Sequence, residues 1–209
     1  MSVAPRSPEV RWHRGRITRR RRFAALGQRG ATVWFTGLPS SGKSTIAGAV
    51  EEQLVSRGRS AYLLDGDNLR HGPNGDLGFS AADRSENVRR AGHVALLLAD
   101  AGVVALVSLI SPYVADRERA RAIHRGAGLP FIEVYVNTPL EECERRDPKG
   151  LYARARAGAL PGFTGVDDPY EAPRSPELEL TPERTLDESV VAVIAAIPAP
   201  GRRLRWTRG

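Results

Sequence analysis

Nine residues, GLPSSGKST at positions 37–45, lie between an apolar run (ATVWF, 31–35) and a segment with helical spacing (IAGAVEEQL, 46–54). The pattern GxxxxGKS constrains the backbone before anything else. Its N–H groups have to turn inward around an anion, at φ/ψ values that a Cβ obstructs, which is why glycine stands at Gly37 and Gly42. Lys43 then adds a charge for the β/γ-phosphates, and the Ser44 hydroxyl can hold Mg²⁺. The N-terminus of the following helix supplies further anion stabilisation. A glycine-rich strand-to-helix turn without a ligand is the competing reading, and the complete strand, loop and helix context disfavours it. The loop does not say what receives the phosphate.

Apolar runs continue to alternate with helix-period segments. Strands are expected over 31–35, 60–64, 103–109 and 131–136, and helices over 44–57, 81–101, 115–125 and 139–145. A last short strand is expected around Glu177 to Leu180 and a closing helix over 186–197. This βαβ alternation predicts an α/β fold: a three-layer sandwich with a mostly parallel sheet and helices on both faces, of the P-loop nucleoside triphosphate hydrolase or kinase type. Between 147 and 176 periodicity fails in a stretch rich in Gly, Pro and charge. Its arginines, Lys149, Tyr152, Phe163 and Tyr170 suggest a lid over an anionic substrate, against the alternative of an inert surface excursion.

A chain of 209 residues suits one such domain, expected over 30–198, with a basic extension (1–29) and a basic tail (199–209). The net charge of +7 is concentrated at these ends, in RWHRGRITRRRR (11–22) and RRLRWTR (202–208). Such runs can attract nucleic acid, but no aromatic stacking platform accompanies them. A solvated, partly disordered terminus is the favoured reading, and nucleic acid is not expected as a partner. Cys143 is the only cysteine, so no intrachain disulfide forms and a buried thiol is expected. No apolar stretch approaches membrane-span length and no secretory signal is evident, so a cytoplasmic protein without membrane contact is expected. His13, His71, His93 and His124 show no metal-ligand spacing.

In parallel sheets ligands collect at the carboxyl ends of the strands. After the second strand comes Asp65-Gly66-Asp67-Asn68-Leu69-Arg70. Its two carboxylates can divide the labour, one organising Lys43 and the metal shell, the other accepting a proton from an attacking hydroxyl. Ser80 is a candidate helix cap, with Asp83 placed for a capping box. Arg84 and Asn87 share one face of that helix, so Arg70, Arg84 and Asn87 can converge on an anion and a base or ribose. Arg89 and Arg90 read as exposed or paired. After the third strand, Ser111 either contacts the acceptor, accepts phosphate itself, or is a turn hydroxyl before Pro112.

Together these residues resemble the adenylylsulfate kinase family. The matching strings are WFTGL..SGKST, LLDGDN.RHG, DLGFS..DR.EN.RR, ISPY, FIEVYV.TPLE.CE.RDPKGLY, RARAG and GFTG.DDPYEAP, spread over about residues 12–197. The resemblance implies transfer of the γ-phosphate of ATP to the 3′-hydroxyl of adenosine 5′-phosphosulfate, with Mg²⁺. It implies an ATP site at Gly37, Leu38, Pro39, Ser40, Ser41, Gly42, Lys43, Ser44 and Thr45, with Arg145 or Arg146 reaching ATP, and Ser44 and Asp65 serving the metal. Asp67 is the implied base beside the 3′-hydroxyl. The implied acceptor pocket comprises Asp67, Asn68, Arg70, Phe79, Arg84, Asn87, Ile110, Ser111, Lys149, Gly162 and Phe163, with adenine between Phe79 and Phe163. Ser111 occupies the family's phosphoserine position, although direct in-line transfer needs no covalent stop.

The chain departs from the family pattern at Pro39-Ser40-Ser41, where Ser-Gly-Ser is usual, and at Pro73, Ala153 and Pro161. The resemblance favours a homodimer and allows a sulfurylase partner. Two other functions remain open at this stage: a catalytically weakened nucleotide sensor or nucleic-acid-binding accessory, and a kinase for a related small alcohol.

Overall fold

The computed structural model describes residues 9–11, 13 and 15–200; the remainder of the basic extension and the tail from 201 to 209 lie outside the described residues. Five parallel strands form one sheet: β1 (Ala31–Thr36), β2 (Ala61–Asp65), β3 (Val104–Ser108), β4 (Phe131–Val136) and β5 (Leu178–Leu180), in the order β2-β3-β1-β4-β5. The helices are α1 (Arg19–Leu26), α2 (Lys43–Ser56), α3 (Gly66–Arg70), α4 (Ala81–Ala101), α5 (Val114–Gly126), α6 (Leu140–Arg146), α7 (Leu151–Arg156) and α8 (Leu186–Ala196).

Strand β1 is central and buried at all six positions. Because successive side chains point to opposite faces, it feeds two cores at once. Ala31, Val33 and Phe35 pack with α2 (Ala47, Val50, Leu54) and α8 (Val190, Val193). Trp34 faces the other way, toward α4 (Val88, Ala91, Ala95) and Ala120 of α5. Helices therefore cover both faces, as the alternation predicts. Register aligns the carboxyl ends: Phe35 is paired with Ser108, Asp65 with Ser108, and Thr36 with Tyr135. Chain order runs from β1 through β3 on one side and then to β4 on the other, so the crevice beyond β1 is the topological switch point.

Three elements differ from expectation. The end of the arginine run forms α1, capped by Thr18; Arg20 and Arg21 stay exposed, as a solvated run would, while Arg19 and Arg22 are held. Arg19 Nε donates to Asp100 Oδ1 (2.6 Å), its Nη1 donates to the Ala127 carbonyl (2.6 Å), and Arg22 also pairs with Asp100. Cations at the C-terminal end of α4 also complement its helix dipole. The Asp65-to-Arg70 stretch is helical beyond its cap, and the lid segment contains α7. At Ser80 the expected capping box is half made. Ser80 Oγ accepts from the Asp83 N–H (3.1 Å), but Asp83 Oδ2 takes the Ser80 hydroxyl (2.7 Å) rather than its backbone N–H. The reciprocal arrangement occurs instead at Thr185 and Glu188 of α8.

One close approach joins β1 to α4: a Cβ on Gly30 would lie 2.0 Å from the Ala99 carbonyl oxygen, whereas a Cβ on Gly48, within α2, meets nothing within 4 Å. Gly30→Ala should lower stability by several kcal/mol through a forced backbone shift, while Gly48→Ala should raise it by about 0.5–1 kcal/mol. Urea unfolding of the two variants checks this; equal effects would contradict it.

Candidate active site

The phosphate loop leaves β1 at Gly37, whose φ of 150° and close approach to the Val136 carbonyl exclude a side chain: a Cβ there would stand 2.6 Å from that oxygen. Gly42, at φ 102°, leads into α2. Thr138 Oγ1 holds the Ser41 carbonyl from the β4 side (2.9 Å). Ser40 lies at φ 61°, in the left-handed region, without glycine's freedom there.

Lys43 is buried in the throat of the loop. Its Nζ donates to the carbonyls of Gly37 (3.0 Å) and Leu38 (2.6 Å) and to Ser41 Oγ (3.3 Å). Burial lowers its pKa to about 8, partly offset by Cys143 and Asp65. The ammonium is therefore poised among carbonyls where an anion would strengthen its charge. Ser44 and Thr45 open to solvent at the start of α2. Ser44 Oγ donates to Asp65 Oδ2 (2.7 Å) and lies 3.0 Å from Ser108 Oγ, so hydroxyls and a carboxylate from the ends of β2 and β3 gather beside the loop.

Asp65 also caps α3, accepting the Asp67 N–H (3.0 Å). This turns the second carboxylate outward: Asp67 is exposed and forms an ion pair with Lys149, whose pKa that pairing raises. Asn68 is exposed on the same helix. Arg70 donates to the carbonyls of Leu77 and Gly78 (2.9 Å each), with its guanidinium carbon 4.2 Å from the centre of the exposed Phe79 ring.

Arg84 joins this segment to the lid. Its Nε donates to the Phe79 carbonyl (3.0 Å), its Nη1 to Asp168 Oδ2 (2.7 Å) and Thr164, and its Nη2 to the Gly162 carbonyl. Asp167 binds the N–H groups of Gly162 (2.7 Å) and Phe163 (2.6 Å), closing the lid turn. Phe163 is buried edge-on against Tyr152, 5.0 Å between centroids, and Tyr152 donates to the Pro39 carbonyl (3.1 Å). The two expected stacking rings thus differ: Phe79 stands in solvent under Arg70, and Phe163 belongs to the lid's own apolar cluster with Cys143. Both arginines of α6 pair with Glu142; Arg146 also reaches the loop, 3.5 Å from the Ser41 carbonyl, while Arg145 faces solvent.

Ser111 is buried at φ 42°; its Oγ accepts from Trp34 Nε1 (3.1 Å), and its carbonyl takes Arg117 Nη1 (2.6 Å). The neighbouring Ile110 carbonyl accepts Thr36 Oγ1 (2.7 Å). Asn87 is buried and accepts from Asn74 Nδ2 (2.7 Å). Thr36, Asn74, Tyr113, Arg117 and Asp168 are absent from the sequence-derived site. Their contacts span 6 to 134 residues along the chain; Thr36, Tyr113 and Asp168 fall inside the matching strings WFTGL, ISPY and DDPY, but nothing in those strings marks the contacts they make. His124, buried between Thr32 and the Ala120 carbonyl, is structural.

A glycine loop at the switch point of a parallel sheet, with a lysine buried in its throat and a helix starting at that lysine, defines a phosphate-loop kinase fold. The chain belongs to the adenylylsulfate kinase family, whose sequence model (Adenylylsulphate kinase) matches residues 29–181. The adenylyl-sulfate kinase of Geotalea uraniireducens (strain Rf4) is 52% identical over 206 residues, 97% of this chain and 98% of its own. The bifunctional enzyme CysN/CysC of Mycobacterium tuberculosis (strain ATCC 25618 / H37Rv) is 55% identical over 194 residues, 93% of this chain; the chain spans 31% of that enzyme's length. A solved structure of the Mycobacterium tuberculosis APS kinase CysC in complex with AMPPNP and APS superposes with a TM-score of 0.79 at 60% identity, covering 80% of this chain and 97% of that one.

Ser40→Gly should relieve backbone strain and raise stability by about 0.5–1 kcal/mol; an unchanged or lower urea midpoint would contradict this. Lys43 gives a pH signature. Below about pH 8 it is protonated in both folded and unfolded chains; between about 8 and 10.5 the folded chain has lost a proton the unfolded chain keeps, so this group's contribution to stability rises with pH. Binding of a triphosphate favours the charged form, so nucleotide affinity should fall above about pH 8, by up to about tenfold per unit. Calorimetric titration across pH should show that slope, and Lys43→Met should abolish it.

Proposed function

We propose that this chain is an adenylylsulfate kinase, transferring the γ-phosphate of ATP to the 3′-hydroxyl of adenosine 5′-phosphosulfate to give 3′-phosphoadenylylsulfate and ADP, in sulfate activation. The observation that carries the reading is the convergence of the Lys43 loop, the Asp65 and Asp67 pair and the Arg84-held lid at one sheet edge. The acceptor oxygen attacks the γ-phosphorus in line, the bond to the β-bridging oxygen breaks, and ADP leaves. The hydroxyl proton passes to Asp67, whose pairing with Lys149 keeps a cation beside the developing charge. Lys43 exchanges loop carbonyls for phosphate oxygens, and Arg146 approaches the same phosphates from α6. The domain is assigned to 30–198 with its lid at about 147–176.

The oxygen-only cluster of Ser44, Asp65 and Ser108 fits Mg²⁺, a hard cation that takes few protein ligands and completes its shell with water and phosphate. Ser44 would hold it, with Asp65 orienting Ser44; when bound it neutralises charge on the β- and γ-phosphates. The burial of Ser111 and its bond to Trp34 support direct transfer without a phosphoserine. The acceptor pocket is assigned to Asp67, Asn68, Arg70, Phe79, Arg84, Asn87, Ile110, Ser111, Lys149, Gly162 and Phe163. Stacking of adenine between the two phenylalanines requires Arg70 to leave the Phe79 face and Phe163 to turn out of the lid cluster. We also assign a homodimer, association with a sulfurylase, and a cytoplasmic setting. No helix among the described residues is long and apolar enough to cross a membrane.

Incubation with MgATP and adenosine 5′-phosphosulfate should release ADP faster than with other nucleoside or sugar acceptors; no preference would sink the assignment. Asp67→Asn should lower kcat by at least about a hundredfold while leaving ATP affinity within about twofold. Lys43→Ala should damage both.

A further inference from the structure

A pair of buried side-chain amides joins the turn after α3 to α4, beside residues assigned above to the acceptor pocket. Asn74, in the turn after α3, is wholly buried, and Asn87 on α4 is 7% exposed. Asn74 Nδ2 donates to Asn87 Oδ1 at 2.7 Å, and the Asn74 N–H is fixed by the Leu69 carbonyl (2.9 Å). This contact engages Asn87 Oδ1 and turns Nδ2 to the other side of the carboxamide, as the donor a ligand can meet.

The opposite arrangement, with both amides turned over, would leave Asn74 Nδ2 buried with no acceptor. As observed, the atom left without a partner is Asn74 Oδ1. An under-satisfied carbonyl oxygen is tolerated more often in protein interiors than an orphaned N–H. The enclosure of Asn74 therefore selects the orientation of Asn87, two helices away from the phosphate loop.

We propose that Asn74 is a positioning residue for the acceptor, locking the Asn87 carboxamide so that it presents an N–H donor and selects a hydrogen-bond acceptor atom on the bound nucleoside. The inference rests on the adenylylsulfate reading and deepens it. A ligand carrying a donor at that position would face a like group, which costs more than a missing contact because both groups lose their water.

Asn74→Asp provides the test, with Asn74→Ala and Asn87→Ala alongside. At neutral pH the introduced carboxylate cannot donate to Asn87 Oδ1, so KM for adenosine 5′-phosphosulfate should rise about five- to twentyfold while KM for ATP stays within about twofold. As pH falls the protonated carboxyl regains a donor, and the ratio of variant to wild-type acceptor KM should return toward one, which a purely structural role would not produce. Asn74→Ala combined with Asn87→Ala should cost no more than Asn87→Ala alone. An acceptor KM within twofold of wild type in folded Asn74→Asp, a pH-independent ratio, or additive losses would overturn the proposal. If the alanine variant fails to fold, the pH dependence of the aspartate variant decides; if neither folds, Asn74 is structural and the proposal falls. Absence of turnover in the wild-type enzyme would instead refute the adenylylsulfate reading itself.

Discussion

Everything at the site depends on how β1 ends. Six buried residues carry the chain through the centre of the sheet, and at Gly37 it turns so closely past the Val136 carbonyl that no side chain fits. That turn fixes the loop between β3 and β4 and starts α2 at Lys43. It also sets Asp65 and Ser108, from the neighbouring strands, beside Ser44. The sheet supplies a rigid frame in which register places oxygen ligands side by side, so no large rearrangement is needed to assemble the phosphate side.

The side assigned to the acceptor is built differently. Its parts come from α3, the start of α4 and the lid, joined by side chains rather than by a continuous sheet. Arg84 is the main fastener: one guanidinium gathers the Phe79 carbonyl, Gly162, Thr164 and Asp168, so the segment before α4 and residues 162–168 are tied through a single planar fork. Tyr113 shares the Asp168 carboxylate, and Arg117 links the Ser111 carbonyl to Glu133 and to the Glu171 carbonyl at the root of the lid. Such a pocket holds its geometry through polar contacts that a substrate can exchange for its own. The bonds of Arg70 over Phe79 and Lys149 with Asp67 are the exposed members of that set.

Local signals made the phosphate side legible in the sequence. GLPSSGKST follows an apolar run, and the βαβ periodicity located strands and helices to within one or two residues, because alternation and helical spacing are properties of adjacent residues. Ser40 was visible as a departure, and its positive φ gives that departure a physical meaning. Helix α1 was hidden because an arginine run looks like a solvated tail until Asp100 and the end of α4 are brought to it. Helix α7 was hidden because six residues are too few to show a period. Asn74 was invisible as an orienting group, since its bond to Asn87 crosses a turn and a helix start. Phe163 shows the reverse: its residue type and position fitted a stacking ring, while its burial against Tyr152 depends on tertiary packing.

The central claim is that phosphate passes to one particular oxygen of the acceptor. The most direct measurement compares ADP release from MgATP in the presence of adenosine 5′-phosphosulfate with release in the presence of its 3′-deoxy analogue, with binding of both measured calorimetrically. The account predicts that both ligands bind with affinities within about tenfold of each other, the difference being a single hydroxyl contact, and that only the first gives turnover. Equal ADP release with both, or phosphate recovered elsewhere on the acceptor, would contradict it.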